Sequence, residues 1–146
     1  MKKILAAIDG SEISENVLRK ARLMAEKFEA DVIVITVVKR IQPSHQYRIG
    51  SDYELAEMVN KEAEAGAKKN IEHADEVFKD YAGHYKSSLL YGDPAEALLV
   101  FAESEKPDLL IMGNRGLGGF RRIMLGSVST KVLHHATCDM MIVKGE

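Results

Sequence analysis

The sequence predicts an α/β sandwich, with a five-stranded parallel sheet covered by helices on both faces. Apolar runs without polar alternation, as expected of strands buried on both faces, recur between longer segments whose apolar residues have helical spacing. The run 109–112, the fourth predicted strand, is followed by a glycine-rich stretch and then by another helical pattern. Because strands alternate with helices, right-handed crossovers join them, and we expect the Rossmann-like or flavodoxin-like type with strand order 3-2-1-4-5.

Length and composition indicate one globular domain spanning 1–146. The chain has 146 residues, of which 46% are hydrophobic and 29% charged, so it is long enough to bury a core. The formal net charge is −2, and therefore no basic field favours nucleic acid or an anionic membrane as a partner. No apolar run reaches the length of a membrane-spanning helix.

Cysteine content and the N-terminal residues favour a cytoplasmic location. Cys138 is the only cysteine, which excludes an internal disulfide framework and a cysteine-cluster metal site. The apolar run 4–8 is too short for the hydrophobic region of a signal peptide and ends at Asp9. We therefore expect a protein of a reducing compartment.

The N-terminal segment predicts a strand, a helix, a second strand and a loop. The strands are the apolar runs Ile4–Ile8 and Val32–Val38. Ser11 is placed to cap the intervening helix through its hydroxyl. The apolar stripe of this helix consists of Ile13, Val17, Ala21, Met24 and Phe28. Lys39–Ser51 contains proline, glycine and mixed polar residues, which predict a loop.

The middle of the chain predicts one long helix from Asp52 to about Ala82, to which we assign no function. Its apolar stripe consists of Leu55, Val59, Ala63, Ala67, Ile71, Ala74, Phe78 and Tyr81. Gly66 is expected to weaken or bend this helix. Residues His84–Tyr91 then predict a third strand, because apolar and polar residues alternate there.

A further helix and a fifth strand complete the predicted sheet. The helix begins with Asp93 at the N-cap, Pro94 at the first position and Glu96 at the third, a combination typical of helix starts. The fifth strand is the apolar run Asp139–Val143 at the end of the chain. Together these elements predict the order βαβ-loop-αβαβαβ.

The stretch Gly113–Ser127 has the features of a phosphate-binding loop. Glycines let the backbone approach an anion closely. The start of the helix that follows offers free N–H groups and a dipole that favours negative charge. Ser127 and Ser129 add hydroxyl donors. Positive charge is supplied by Arg115, Arg121 and Arg122.

The spacing of this stretch differs from the two commonest nucleotide-binding motifs. A Walker A loop requires lysine and a hydroxyl residue after its second glycine, where Gly119 and Phe120 stand. A Rossmann fingerprint requires three glycines directly after the first strand. The pattern that fits is G-x2-G-x9-G-[S/T], formed by Gly113, Gly116, Gly126 and Ser127. With its flanking strand and helix, it resembles the ATP-binding signature of the universal stress protein family.

The resemblance to this family extends over nearly the whole chain. Residues 3–11 resemble its opening strand and acidic residue, and residues 92–94 and 107–113 match its middle landmarks. It implies an adenine nucleotide alpha hydrolase-like fold and a bound ATP, ADP or AMP, with Mg²⁺ or Mn²⁺ held through the phosphates. The residues implied to contact adenosine are Ala7, Ile8, Asp9 and Val37. Those implied along the ribose and phosphates are Met112, Gly113, Arg115, Gly116, Gly126, Ser127, Val128 and Ser129.

The resemblance also implies a homodimer in which the last strands of two subunits pair antiparallel. One short segment of this chain, directly before the last strand, departs from the family pattern. Residues 138–140 read Cys-Asp-Met, where many members have Cys-Pro-Val. An apolar strand at the end of the chain is an edge that needs to be paired or covered. The alternative is a monomer whose edge is shielded by Lys144 and Glu146.

Several other residue patterns admit more than one interpretation. The residue type of Asp9 fits a metal ligand, a general base, a ribose acceptor or an acid that only flanks a helix at a strand end. With a phosphate-binding loop in the same fold, we favour contact with ribose or adenine. A receiver-like acidic site would require paired acids after the first strand, and Ile8 and Gly10 flank Asp9 instead. His134 and His135 lie on the helix that Ser127 begins. We interpret them as residues that interact favourably with the dipole at the helix C-terminus, because residues of one helix do not converge as a catalytic triad requires.

Three functions remain compatible with the sequence. The first is a nucleotide-binding regulatory or signalling module of a stress response without fast turnover. The second is a slow ATPase or phosphotransferase, which would require a positioned base that the sequence does not reveal. The third is a dimeric interaction protein with a vestigial nucleotide site. The intact glycines and Ser127 favour the first over the third.

Overall fold

The computed structural model describes residues 1–42, 51–114 and 125–145, without the side chains of 51 and 52. Five strands alternate with four helices in this part of the chain, which confirms the predicted element order. In chain order they are β1 Lys3–Ala7, α1 Glu12–Phe28, β2 Asp31–Val38, α2 Ser51–Phe78, β3 Tyr85–Tyr91, α3 Pro94–Glu105, β4 Leu109–Gly113, α4 Ser127–His135 and β5 Asp139–Val143.

The sheet has the strand order β3-β2-β1-β4-β5, and every neighbouring pair is parallel. This is the predicted order. Strands β1 and β4 are neighbours, although the chain passes through β2 and β3 between them. The order of connections therefore reverses between β1 and β4, and their carboxyl ends meet at the switch point where ligands bind in such sheets.

Two apolar cores lie on opposite faces of the sheet. Alternate residues of the strands contribute to each core, because successive side chains of a strand point to opposite faces. One face packs against α1 and α2 through residues such as Ile4, Val34 and Phe78. The other packs against α3 and α4 through residues such as Leu98 and Val132. Burial on both faces explains why the central strands are continuously apolar.

Helix α1 follows its predicted stripe except at its C-terminal end. Phe28 was predicted to face the core, but 47% of it is exposed. The helix ends there, because Glu29 adopts a left-handed conformation with φ of 52°. Ala25 is fully buried instead. Ser11 occupies the N-cap as predicted, but its side chain makes no cap hydrogen bond, so the prediction that its hydroxyl caps the helix is wrong.

Helix α2 is unbroken from Ser51 to Phe78 and ends about one turn before the predicted boundary. Gly66 neither interrupts nor ends it. The predicted stripe is correct in the C-terminal half, but Leu55 is 60% exposed and Val59 is also exposed, whereas Ala56 is buried. The N-terminal half of α2 therefore presents a different face to the protein than the sequence pattern indicates.

The segment after β2 is held against α2 by a side-chain amide. Asn60 accepts from the backbone N–H of Ile41 at 2.8 Å and donates to its carbonyl at 2.9 Å.

The start of α3 is capped as predicted, because the Asp93 carboxylate accepts from the N–H of Glu96 at 3.0 Å. None of the helices in the described ranges is long and apolar enough to cross a membrane.

Candidate functional site

A cavity of about 650 Å³ opens at the carboxyl ends of β1, β2 and β4. Its volume falls within the range of about 300–1,000 Å³ that small-molecule sites occupy. The turn after β1, Lys39 after β2 and the four helices contribute the other residues of its wall. Eight of the predicted site residues line it: Ala7, Ile8, Asp9, Val37, Met112, Gly113, Val128 and Ser129. Arg115 and Gly116 lie outside the described residues, as do Arg121 and Arg122.

The backbone of Val37 faces this cavity beyond the end of β1. Ile8 donates its N–H to the carbonyl of Ile35 at 2.9 Å on the β1 side, and Gly92 donates to the carbonyl of Val38 at 3.0 Å on the β3 side. Peptide groups alternate in direction along a strand, so the N–H and C=O of Val37 point to the β1 side. Pairing with β1 stops at Ile35, and within the described residues no hydrogen bond reaches these two groups.

The turn between β1 and α1 is organised by Ser14 and Asp9. The hydroxyl of Ser14 accepts from the N–H groups of Asp9 and Gly10, both at 3.1 Å, and donates to the Asp9 carboxylate at 3.1 Å. The same carboxylate oxygen, Oδ1, accepts from the N–H of Ser11 at 2.9 Å. Asp9 therefore has one oxygen committed to the turn, which positions the carboxylate at the cavity wall.

Helix α4 begins beside the same cavity with Gly126 as its N-cap. Gly126 donates its N–H to the carbonyl of Asn114 at 2.6 Å, and the hydroxyl of Ser129 donates to that carbonyl at 3.2 Å. Two of the donors suggested for a phosphate are therefore used within the fold. In the described part of the chain, the N–H groups of Ser127, Val128 and Ser129 remain without a partner, as the first N–H groups of a helix do.

The hydroxyl of Ser127 differs from that of Ser129. Ser127 is exposed and makes no hydrogen bond to another described residue, so its hydroxyl is available as a donor. Ser129 is 98% buried, its relative exposure being 2%. Without a ligand the Ser129 hydroxyl is committed to Asn114, and donation by either hydroxyl to a ligand stays a prediction. Gly126 and Ser127 do not line the cavity themselves; they directly precede Val128 and Ser129, which do.

The sequence-based interpretation missed several residues of the cavity wall. Helix α2, to which no function was assigned, contributes Ala63, Gly66, Ala67 and Asn70 to it. These residues recur every three to four positions, so one face of the helix carries them. The small side chains at 63, 66 and 67 leave room between α2 and β2, and this pattern was the available signal.

Two further missed residues lie on β2 and directly after it. Thr36 is 98% buried and lines the cavity, and Lys39 contributes a positive charge at its wall. The signal for Thr36 was a hydroxyl within an otherwise apolar strand. The signal for Lys39 was its position at the carboxyl end of a strand next to the predicted switch point.

The residues considered for other chemistry do not converge. His134 and His135 occupy the last turn of α4, and His135 contacts the carbonyl of Lys131 at 2.9 Å. Cys138 is half-buried, and burial raises the pKa of its thiol, which keeps it protonated. The described residues contain no group of three or more potential metal ligands.

Comparison with known proteins identifies one family, and the match covers all the elements that line the cavity. A model of the universal stress protein family matches residues 1–144. A universal stress protein of Methanocaldococcus jannaschii is 34% identical over 98% of this chain and 82% of its own length. One from Thermus aquaticus is also 34% identical, over 98% of both chains.

Solved structures agree with the observed topology. UspA from Lactobacillus plantarum has a TM-score of 0.85 at 21% identity, with 97% of both chains covered. A universal stress protein in complex with cAMP has a TM-score of 0.70 at 23% identity, covering 97% of this chain and 96% of its own. One from Archaeoglobus fulgidus in complex with dAMP has a TM-score of 0.68 at 21% identity, covering 99% and 98%. The chain belongs to the universal stress protein family.

Proposed function

We propose that this chain binds an adenine nucleotide, ATP, ADP or AMP, and serves as a regulatory or signalling module of a stress response without fast turnover. The observation that carries this proposal is the cavity of about 650 Å³ that connects the free backbone groups of Val37 with the N-terminus of α4. The free backbone groups suit the hydrogen-bonding edge of a base, and the helix N-terminus suits a phosphate group. Related structures with bound cAMP and dAMP support the same ligand class.

The proposed orientation follows from the chemistry of the cavity wall. An N–H and a C=O side by side on Val37 match the donor and acceptor groups on an adenine edge. The carboxylate of Asp9 suits a ribose hydroxyl, and the backbone at Met112 and Gly113 lies between the two ends of the site. The N–H groups of 127–129 and the helix dipole suit phosphate oxygens. We assign Arg115, Gly116 and Gly126 to the phosphate end on the family signature alone.

A divalent cation, Mg²⁺ or Mn²⁺, is proposed to bind through the phosphates. The described residues offer no three-ligand cluster, and the Asp9 carboxylate is the described side chain of the turn that fits a hard cation or its bound water. When bound, such a cation would neutralise part of the phosphate charge. The protein's own contribution is to position the phosphates at the start of α4.

We favour the regulatory interpretation over an enzyme, although two carboxylates, Asp9 and Glu62, lie on the described cavity wall. Asp9 has one oxygen occupied by Ser11 and Ser14. We expect ATP hydrolysis far slower than the ~10 s⁻¹ of a median enzyme. A single-turnover experiment with labelled ATP measures this rate. Phosphate release at ordinary enzyme rates, abolished by Ser127→Ala, would establish the enzyme alternative.

The experiment that tests nucleotide binding fills the cavity from a position where the fold has room. A Cβ added at Gly66 meets nothing within 4 Å, and leucine forms helix better than glycine. Gly66→Leu should therefore fold normally and place a side chain in the cavity. We expect calorimetry to show ATP affinity reduced by about tenfold or more, or about 1.4 kcal/mol. Gly66→Ala is the matched control and should bind ATP much as the wild type does.

We also propose an assembly state and a cellular location for this chain. Strand β5 is an edge of the sheet, so its outer backbone groups are available for pairing with a second copy. We propose an isologous homodimer through this strand. A cytoplasmic location remains our proposal from the cysteine content and the nucleotide ligand.

A further inference from the structure

The cavity has a polar inner wall that the nucleotide site described above does not use. Thr36 lies on the face of β2 that packs against α1 and α2, opposite the side chain of Val37. Asn70 lies on the facing surface of α2. A Cβ built at Gly10 would come within 2.6 Å of the Asn70 carboxamide, so Asn70 stands directly over the turn that carries Asp9.

The hydroxyl of Thr36 has no hydrogen-bond partner among the described residues, although 98% of the residue is buried. In the described part of the chain, the other buried polar side chains are Ser14, Asn114 and Ser129, and each is hydrogen-bonded within the fold. The described residues contain no buried side-chain nitrogen or oxygen without a hydrogen-bond partner, so the unpaired Thr36 oxygen retains accessible surface and is open to the cavity.

Asn70 presents a second unpaired polar group to the same cavity. Its carboxamide forms no hydrogen bond with any described residue, so both the oxygen and the NH₂ group are available. A carboxamide places an acceptor beside a donor. Adenine offers the complementary pair at N6 and N7, whereas guanine presents two acceptors, O6 and N7, at the same edge.

We propose that Asn70 and Thr36 select the base, Asn70 by pairing with the N6 and N7 edge of adenine and Thr36 by a further hydrogen bond to the base or its bound water. This inference rests on the proposed nucleotide function and assigns its base specificity. Guanine would place O6 and N7 against a carboxamide that can satisfy one of them only. The ligand completes the hydrogen bonding of the inner wall.

The test compares ATP with GTP by calorimetry in the wild type and in Asn70→Asp. An ionised aspartate keeps the size of asparagine but has acceptors only, so it loses the donor to N7. We expect the wild-type preference for ATP over GTP to fall by about tenfold or more in Asn70→Asp. Asn60→Asp is the matched control, because Asn60 lies on the same helix and holds Ile41 rather than lining the cavity. It should keep the wild-type preference.

Thr36→Val distinguishes a hydroxyl that binds ligand from one that stabilises the fold, because the two roles predict different changes in melting temperature and ATP affinity. Valine keeps the shape of threonine and removes the unpaired hydroxyl. We expect an unchanged or higher melting temperature of the nucleotide-free protein together with weaker ATP binding. A lower melting temperature or unchanged ATP affinity would overturn the role of Thr36. If Asn70→Asp keeps the full preference for ATP, base selection by Asn70 is wrong while nucleotide binding stands. Wild type that binds neither ATP nor GTP would overturn both proposals.

Discussion

The backbone N–H of Gly126 donates to the carbonyl of Asn114 at 2.6 Å, which joins the two ends of the glycine-rich segment. Asn114 also accepts from the N–H of Gly145 through its side-chain oxygen at 3.3 Å, and its own N–H donates to Val143. One residue therefore connects the end of β4, the start of α4 and the end of the chain. The position of the α4 N-terminus relative to the cavity depends on these contacts.

Ser129→Ala and Ser127→Ala should have opposite consequences. Removing the Ser129 hydroxyl leaves the buried Asn114 carbonyl with one donor fewer, which should lower the free energy of unfolding by about 0.5–1.5 kcal/mol. Ser127 is exposed, so its loss should change stability by less than about 0.5 kcal/mol but weaken ATP binding. Urea denaturation and calorimetry measure the two effects. Equal stability losses in both variants would refute the separate roles.

Gly10→Ala should destabilise the protein and Gly66→Ala should stabilise it. Gly10 has a φ of +82°, and an added Cβ would lie 2.6 Å from Asn70. Strain and displacement of Asn70 together should cost more than about 1 kcal/mol. Gly66 is helical with open space around its Cβ, so alanine should add about 0.5–1 kcal/mol. Thermal melting of both variants tests this, and a stable Gly10→Ala protein would contradict the described turn.

Stability should fall in acid partly through Glu105. Hydrogen bonding and charge from Lys86, and then from Lys3, lower the pKa of Glu105 below its ordinary value of 4.5. A lowered folded-state pKa contributes stability above pH 4.5 that is lost as the pH falls through the folded value. Glu105→Gln should therefore reduce the decline in urea midpoint between pH 6 and pH 3. The same decline in the variant and the wild type would show that Glu105 does not contribute.

Proline at position 140 should separate dimer pairing from folding. Val143 accepts from Asn114 on the β4 side, so by alternation the peptide groups of Met141 also face β4, while those of Met140 and Ile142 face outwards. Met140→Pro removes an outward N–H, which an edge strand tolerates. We expect light scattering to show a folded monomer from a dimeric wild type.

Met141→Pro is the control for that experiment. It removes an N–H that pairs with β4 and should unfold or strongly destabilise the protein. Circular dichroism and thermal melting distinguish the two variants. A monomeric wild type at micromolar concentration would refute the proposed pairing through β5.

The parts of the fold that could be predicted are those in which local and tertiary preferences agree. The continuous apolar runs of β1, β2 and β4 require burial on both faces, which only a parallel sheet between helix layers provides. Asp93 and Pro94 determine the start of α3 locally, and the structure shows the expected cap. The glycine-rich segment predicted a helix start at Ser127, where α4 begins.

The errors arose where a pattern had several physical solutions. Leu55 and Val59 fit an apolar stripe, but the burial of Ala56 shows that packing selected a neighbouring face. Ser11 has a capping residue type, yet its hydroxyl is not used, because the Asp9 carboxylate and the Ser14 hydroxyl satisfy the backbone of that turn. Residue type alone does not determine which neighbouring oxygen accepts.

The cavity wall contributed by α2 required the tertiary structure. Asn70 is 61 positions from Asp9 in the chain, and only the packing of α2 over the β1–α1 turn brings the two regions together. Thr36 was visible as a single hydroxyl in β2, but its lack of a partner follows from the packed structure. The periodic small residues of α2 indicate that one face is close-packed, but they do not indicate which part of the fold that face meets.

We propose that a nucleotide occupies the cavity between Val37 and the start of α4. Titration of isotope-labelled protein with ATP, followed by NMR of the assigned backbone amides, tests it most directly. We predict that the largest shift changes occur at the amides of Val37, Ser127, Val128 and Ser129, which have no partner among the described residues without ligand. Saturating ATP that leaves these amides unshifted, or that shifts only amides far from the cavity, would show that the nucleotide does not bind there.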